Sequence, residues 1–117
     1  MGDITKNFSK SEFACKCGCG FDEISTITVL VWQLVRDKFN QPITITSGCR
    51  CVQHNSKVGG KPNSQHTLGY AADGQVTNVT PKEVGEFLNS LFSSSLGLGV
   101  YKNFVHIDAR IDRAYRW

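Results

Sequence analysis

The chain has 117 residues, 40% hydrophobic and 20% charged, a size and balance that suit one globular domain over residues 1–117. With 13 basic and 10 acidic residues the net charge is a mild +3, which tolerates an acidic polymer as partner but shows no Lys/Arg block of the kind that lines a nucleic-acid groove. No segment approaches the roughly 20 apolar residues needed to span a bilayer, so neither nucleic acid nor membrane is expected as a partner.

The opening stretch, MGDITKNFSKSEF, has no apolar h-region, so no secretory signal is expected and the chain reads as cytoplasmic as synthesised. Ser9 followed by Glu12 forms a capping-box pattern ahead of a short helix at 10–14. The glycine-rich CKCGCG segment reads as loop. From Thr26 to Phe39 the apolar residues Ile27, Leu30, Val31, Leu34 and Val35 recur at helical spacing, and the helix should end near Asn40, before Pro42. ITITS at 43–47 alternates and is β-branched, so it reads as a strand. A short helix follows at 51–57, then a loop through VGGKPNS. YAADGQV at 70–76 reads as a second strand. Thr80-Pro81-Lys82-Glu83 is a helix start with an N-cap, a proline in the first turn and a reciprocal acid, and that helix runs to about Phe92. LGVYK and FVHIDA, at 98–102 and 104–109, read as a hairpin pair of strands. The expected class is α+β: a small, mostly antiparallel sheet with two main helices.

Five cysteines fall in two groups, Cys15, Cys17 and Cys19 in CKCGCG, then Cys49 and Cys51 in CRC. An odd number excludes complete internal pairing. The C-x-C-x-C spacing is not the C-x-x-C knuckle of most structural zinc sites. Three readings stay open: disulfides between the groups, free buried thiols, or a thiolate zinc site.

Two stretches carry candidate chemistry. In SQHTLGYAADG, Asp73 sits on the expected strand with its side chain on the face of Ala71 and Gln75, and His66 follows a Pro-Asn-Ser turn from which it could fold back to meet Asp73. In FVHIDAR, His106 and Asp108 share one strand face while Val105 and Ile107 share the other and can enter a core. Two histidines and one carboxylate, with a fourth position left for water, meet the needs of a catalytic zinc. Each half alone would equally fit a turn or a half-exposed strand.

Together the halves resemble a known pattern. SQHTLGYAAD fits S-x-H-x-x-G-x-A-x-D, and the H-x-D of FVHID follows about 30 residues later. FSKSEFACKCGCG, PITITSGCRC, HNSKVGGKPNSQH and GLGVYKNFVHIDAR extend the likeness over nearly the whole chain, in order. The chain resembles the zinc D-Ala-D-Ala carboxypeptidase family, muramoyl-peptide metallopeptidases that share a fold with the hedgehog signalling domain, and is most similar to its short, single-domain branch. The resemblance implies that Zn²⁺ is held by His66, Asp73 and His106. It implies that Arg50 binds the substrate carboxylate or the developing oxyanion, a role that suits a permanently charged fork. Ser64 and Tyr101 are candidates for lining the substrate cleft, and His54 is expected on the surface or at a helix cap. The implied activity is hydrolysis of peptidoglycan stem peptides by a monomer, most simply as a D-alanyl-D-alanine carboxypeptidase. A murein endopeptidase, or a wall-peptide-binding module that keeps zinc without turnover, are the alternatives, followed by a metal-free, disulfide-stapled structural protein. Absence of a signal would suit a phage- or prophage-encoded wall enzyme freed at lysis.

The chain departs from the family pattern at one place. Many relatives carry an acid three residues before the last histidine, as general base, and here that residue is Asn103, which cannot take a proton at neutral pH. Asp108 is the nearest remaining carboxylate. It is expected either as the catalytic base or as a hydrogen-bonding support for a ligand histidine.

Overall fold

The computed structural model of the protein describes residues 3–61, 64–110 and 113–117. The first residues of the expected leaderless N-terminus, Met1 and Gly2, and the Pro62-Asn63 part of the expected turn before His66 lie outside the described residues. Among the described residues, four helices and five strands follow in the order α1 (Lys10–Phe13), α2 (Thr26–Phe39), β1 (Ile43–Ser47), α3 (Val52–Lys57), β2 (Ala71–Val76), α4 (Pro81–Leu91), β3 (Gly97–Val100), β4 (Val105–Asp108) and β5 (Tyr115–Arg116), with a 3₁₀ turn at Gln65–Leu68. The sheet runs β1-β2-β4-β3-β5. Its first three pairings are antiparallel, and β5 joins β3 in parallel. The expected α+β class and mostly antiparallel sheet are what the chain forms, and no described helix is long and apolar enough to cross a membrane.

One face of the sheet is covered by α2 and α4 and holds the core. Ala72 and Val76 of β2, Val105 and Ile107 of β4 and Leu98 of β3 meet Val29, Trp32 and Val35 of α2 and Val84 and Leu88 of α4. Burying each large side chain contributes about 1.5–3 kcal/mol. Alternation then places Ala71 and Asp73, with His106 and Asp108, on the opposite face.

The expected apolar stripe of α2 is corrected in part. Val31 and Val35 are buried, but Ile27, Leu30 and Leu34 are 45%, 50% and 41% exposed. The inward face instead takes in Thr28 and Gln33. Thr28 donates its hydroxyl to the Tyr70 carbonyl at 2.6 Å, and the Gln33 amide serves Thr5, Asn7 and Asp37. These polar residues enter the interior because each finds a partner there. The helix stops at Asn40, whose left-handed backbone (φ 51°) turns its N–H onto the Arg36 carbonyl at 2.9 Å.

In α4 the Thr80–Glu83 capping box forms as expected, with Glu83 N–H to Thr80 Oγ1 at 3.2 Å and Thr80 N–H to Glu83 Oε2 at 2.9 Å. The same helix separates two kinds of stabilisation. Thr80→Ala is expected to lower stability by about 1 kcal/mol, and Leu88→Ala, at a fully buried position, by about 2–5 kcal/mol. Urea denaturation midpoints of the two variants check the order. Strand β5, too short to show periodicity, was not expected. Arg116 anchors it through the carbonyls of Phe92, Ser95 and Leu96 beyond the end of α4.

Candidate metal centre

Register decides which side chains meet. Asp73 of β2 pairs with His106 of β4, and Ala71 with Asp108. On the other flank of β4, Gly99 pairs with His106 and Gly97 with Asp108. The site face beside His106 and Asp108 therefore carries no side chain from β3: a Cβ at Gly97 would fall on the Asp108 carboxylate, and one at Gly99 on the Trp117 ring.

His66 arrives from outside the sheet. Ser64 caps the 3₁₀ turn, its hydroxyl accepting the His66 N–H at 3.2 Å. Gly69 closes the turn at φ 74°, a conformation open to glycine, and a Cβ there would strike the Glu23 carbonyl. A register shift between Ile45 and Ser47 turns the chain after β1 towards the site. The Arg50 N–H then donates to the His66 carbonyl at 3.0 Å, and His66 Nδ1 lies 2.7 Å from the Gly48 carbonyl. A carbonyl only accepts, so Nδ1 carries a proton and Nε2 is the nitrogen turned to the site. That Nε2 is 3.3 Å from Asp73 Oδ2.

His106 stands between two carboxylates, Nδ1 at 2.9 Å from Asp73 Oδ1 and Nε2 at 2.9 Å from Asp108 Oδ2. Burial works against charge on this ring, but hydrogen bonds to Asp108 and Asp73 outweigh it and raise its pKa above the ordinary 6.5. Asp73 shows the converse. Burial favours its neutral form, yet the two histidines bring it from 3.8 down to about 2. His66, Asp73 and His106 are all buried, and one donor atom from each lies within 4.8 Å of the others. Two imidazole nitrogens and a carboxylate oxygen at that spacing fit zinc with a fourth position open. They face a cleft of about 930 Å³, which Arg50, Ser64, Tyr101, Phe104, Arg110 and Trp117 also line.

A family model described as Peptidase M15 matches residues 6–108. The chain belongs to the Peptidase M15 family. This is the family that SQHTLGYAAD and FVHID resemble, and the matched range takes in every residue assigned to the site from sequence. Among curated proteins, the zinc D-Ala-D-Ala carboxypeptidase of Streptomyces albus G is 44% identical over 48 residues, which is 38% of this chain. The chain covers 19% of that relative's length.

In this Peptidase M15 protein the base role expected of Asp108 does not fit its position. Its side chain is 0% exposed and it does not line the cleft. Both oxygens are engaged: Oδ1 accepts from Arg110 Nε at 2.8 Å, and Oδ2 accepts from Arg110 Nη2 at 2.8 Å and from His106 Nε2. Although burial opposes it, His106 and Arg110 hold the carboxyl at about 2, against an ordinary 3.8. Asp108 thus orients His106 from behind and presents Nδ1 to the metal corner. Asn103 is exposed in the β3–β4 turn, away from the cleft. Among the described residues lining the cleft, Asp73 is the one carboxylate.

The Arg50 guanidinium is braced on two sides. Nε donates to Ser47 Oγ at 3.0 Å and Nη1 to Asn55 Oδ1 at 3.2 Å, leaving Nη2 3.7 Å from Asp73 Oδ2. Tyr101 lies at the cleft rim, stacked on Phe104 with ring centroids 4.4 Å apart, and its hydroxyl accepts from Trp117 Nε1 at 2.6 Å. The Ser64 hydroxyl, a candidate substrate contact, is already engaged by the His66 N–H. His54 stays in α3, outside the cleft lining. Sequence reading missed Arg110, Trp117, Ser47 and Asn55. The bare face of GLGV was open to it, because two glycines at a period of two clear one side of a strand.

Proposed function

We propose that the protein is a zinc-dependent peptidase of peptidoglycan stem peptides, acting as a D-alanyl-D-alanine carboxypeptidase. The observation that carries this reading is the convergence of the three metal-ligating side chains and the braced Arg50 guanidinium on one cleft, with Nη2 3.7 Å from Asp73. The Streptomyces relative, named for zinc and for D-Ala-D-Ala, supports both cofactor and substrate class. His66, Asp73 and His106 would hold the metal, which when bound supplies Lewis acidity and activates water near neutral pH. Arg50 receives the C-terminal carboxylate of the substrate or the charge growing on the scissile carbonyl. The Tyr101–Phe104 stack and Trp117 offer apolar walls to the residues before the cut. With Asp108 walled off, proton delivery to the leaving amine falls to water in the open cleft.

The test is product analysis by mass spectrometry on stem peptides with zinc-loaded protein. Loss of one terminal alanine supports the carboxypeptidase, and an internal cut marks an endopeptidase instead. A zinc-retaining binding module is the second reading, favoured by the lack of any cleft carboxylate beyond Asp73 among the described residues. Binding of several stem peptides without cleavage would establish it.

Asp108→Asn separates support from base. A support predicts zinc affinity and activity both lower by about 10–100-fold, with excess zinc restoring turnover; a base predicts full zinc and no turnover. The sign of the pH effect is also defined. A carboxyl held at about 2 against 3.8 stabilises the fold above pH 3.8, and that share is lost as pH falls towards 2. The acid-unfolding curve of the metal-free variant should therefore be flatter over that range than that of wild type.

A further inference from the structure

We propose that Cys15, Cys17, Cys19 and Cys51 form a second, structural metal site, a four-thiolate zinc centre that joins the N-terminal loop to the segment carrying Arg50. The four sulfurs lie within 4.8 Å of one another. Cys17 Sγ is 3.4 Å from Cys15 Sγ and 3.5 Å from Cys51 Sγ. A disulfide would bring a pair to about 2.0 Å. Sulfurs about 2.3 Å from a tetrahedral zinc stand about 3.8 Å from each other, within the range found here.

A second observation is independent of the sulfur spacing. Two backbone N–H groups point at these sulfurs, Cys51 N–H at Cys15 Sγ and His54 N–H at Cys51 Sγ, both at 3.4 Å. Metal-bound sulfur accepts backbone donors of this kind. The loop is folded to gather its cysteines: Cys15 N–H donates to the Phe21 carbonyl at 2.8 Å, Gly18 N–H to the Cys15 carbonyl at 3.2 Å, and Gly18 takes φ +81°. Cys49 stands apart, 1% exposed in the interior with its N–H on the Phe13 carbonyl. The odd count thus divides into four metal ligands and one core thiol.

Binding forms four Zn–S bonds and releases the four thiol protons to solvent, so acid weakens it. Cys51 caps α3 and directly follows Arg50, whose backbone holds the His66 carbonyl. Metal at this site would fix the start of that segment without touching substrate.

The full chain, kept reduced and stripped of metal, should take up two equivalents of cobalt, one for each ligand group. One should show the intense near-ultraviolet charge-transfer band of a cobalt–thiolate centre. That band should persist in His66→Ala and Cys49→Ala and vanish in a Cys17→Ser, Cys19→Ser variant that still takes one cobalt. Zinc X-ray absorption of wild type reads sulfur coordination directly, should the serine variant not fold. The proposal is overturned if the reduced protein binds cobalt without a thiolate band, or if freshly purified protein is lighter by two hydrogens per bridge and free of sulfur-bound metal. No arm depends on turnover, so failure here leaves the peptidase reading untouched.

Discussion

His66→Ala is expected to remove zinc from the His66–Asp73–His106 site and reduce peptidase activity by more than about 100-fold, beyond the 10–100-fold that follows loss of a residue supporting a ligand. The residue is 3% exposed, and its Nδ1–H bond to the Gly48 carbonyl directs Nε2 at Asp73. Alanine leaves one histidine and one carboxylate, too few donors to close a zinc site. It should leave the helix-side core intact, because His66 lies outside that cluster. The check is thermal. Zinc at 100 times its Kd stabilises a folded protein by about 2.7 kcal/mol, so the wild-type midpoint should rise on adding zinc after the thiolate site is filled. The variant should show no such rise while unfolding cooperatively. An unchanged zinc response in His66→Ala would remove this histidine from the metal set.

The strands and their faces were legible because period-two patterning survives into the structure. Asp73 against Ala72, and His106 and Asp108 against Val105 and Ile107, could be sorted to opposite sides before any fold was known, and the register then brought Asp73 beside His106. What could not be read depends on partners distant in sequence. Thr28 and Gln33 look like solvent-facing positions of α2, but are buried because Tyr70, Thr5 and Asn7 meet them across the fold. Strand β5 has two residues and no pattern of its own. The role of Asp108 turned on the same limit. The H-x-D spacing placed it on the right face, yet whether it faced water or the interior depended on Arg110 and on the bare surface of Gly97.

Arg50→Lys is expected to lower kcat/KM by about 10²–10³-fold, the range for loss of a preorganised charge-stabilising group, with zinc content unchanged. Lysine keeps the charge and loses the fork. The guanidinium spans Ser47 Oγ, Asn55 Oδ1 and the Asp73 side of the metal corner at once, and a single ammonium on a flexible stem cannot. Asn55 is 2% exposed, so its abandoned Oδ1 should also cost about 1–3 kcal/mol of stability. The substrate supplies the decisive comparison. If Arg50 binds a C-terminal carboxylate, amidating the peptide should damage wild-type kcat/KM about as much as the substitution does. The variant should then be far less sensitive to amidation than wild type, because either change breaks the same bidentate contact. If wild type cleaves free and amidated peptides equally well while Arg50→Lys is impaired on both, Arg50 serves the reacting carbonyl alone and the terminal carboxylate has no partner there. That outcome would replace the proposed carboxypeptidase reading with an endopeptidase one, since the arginine would then read a peptide bond rather than a chain end.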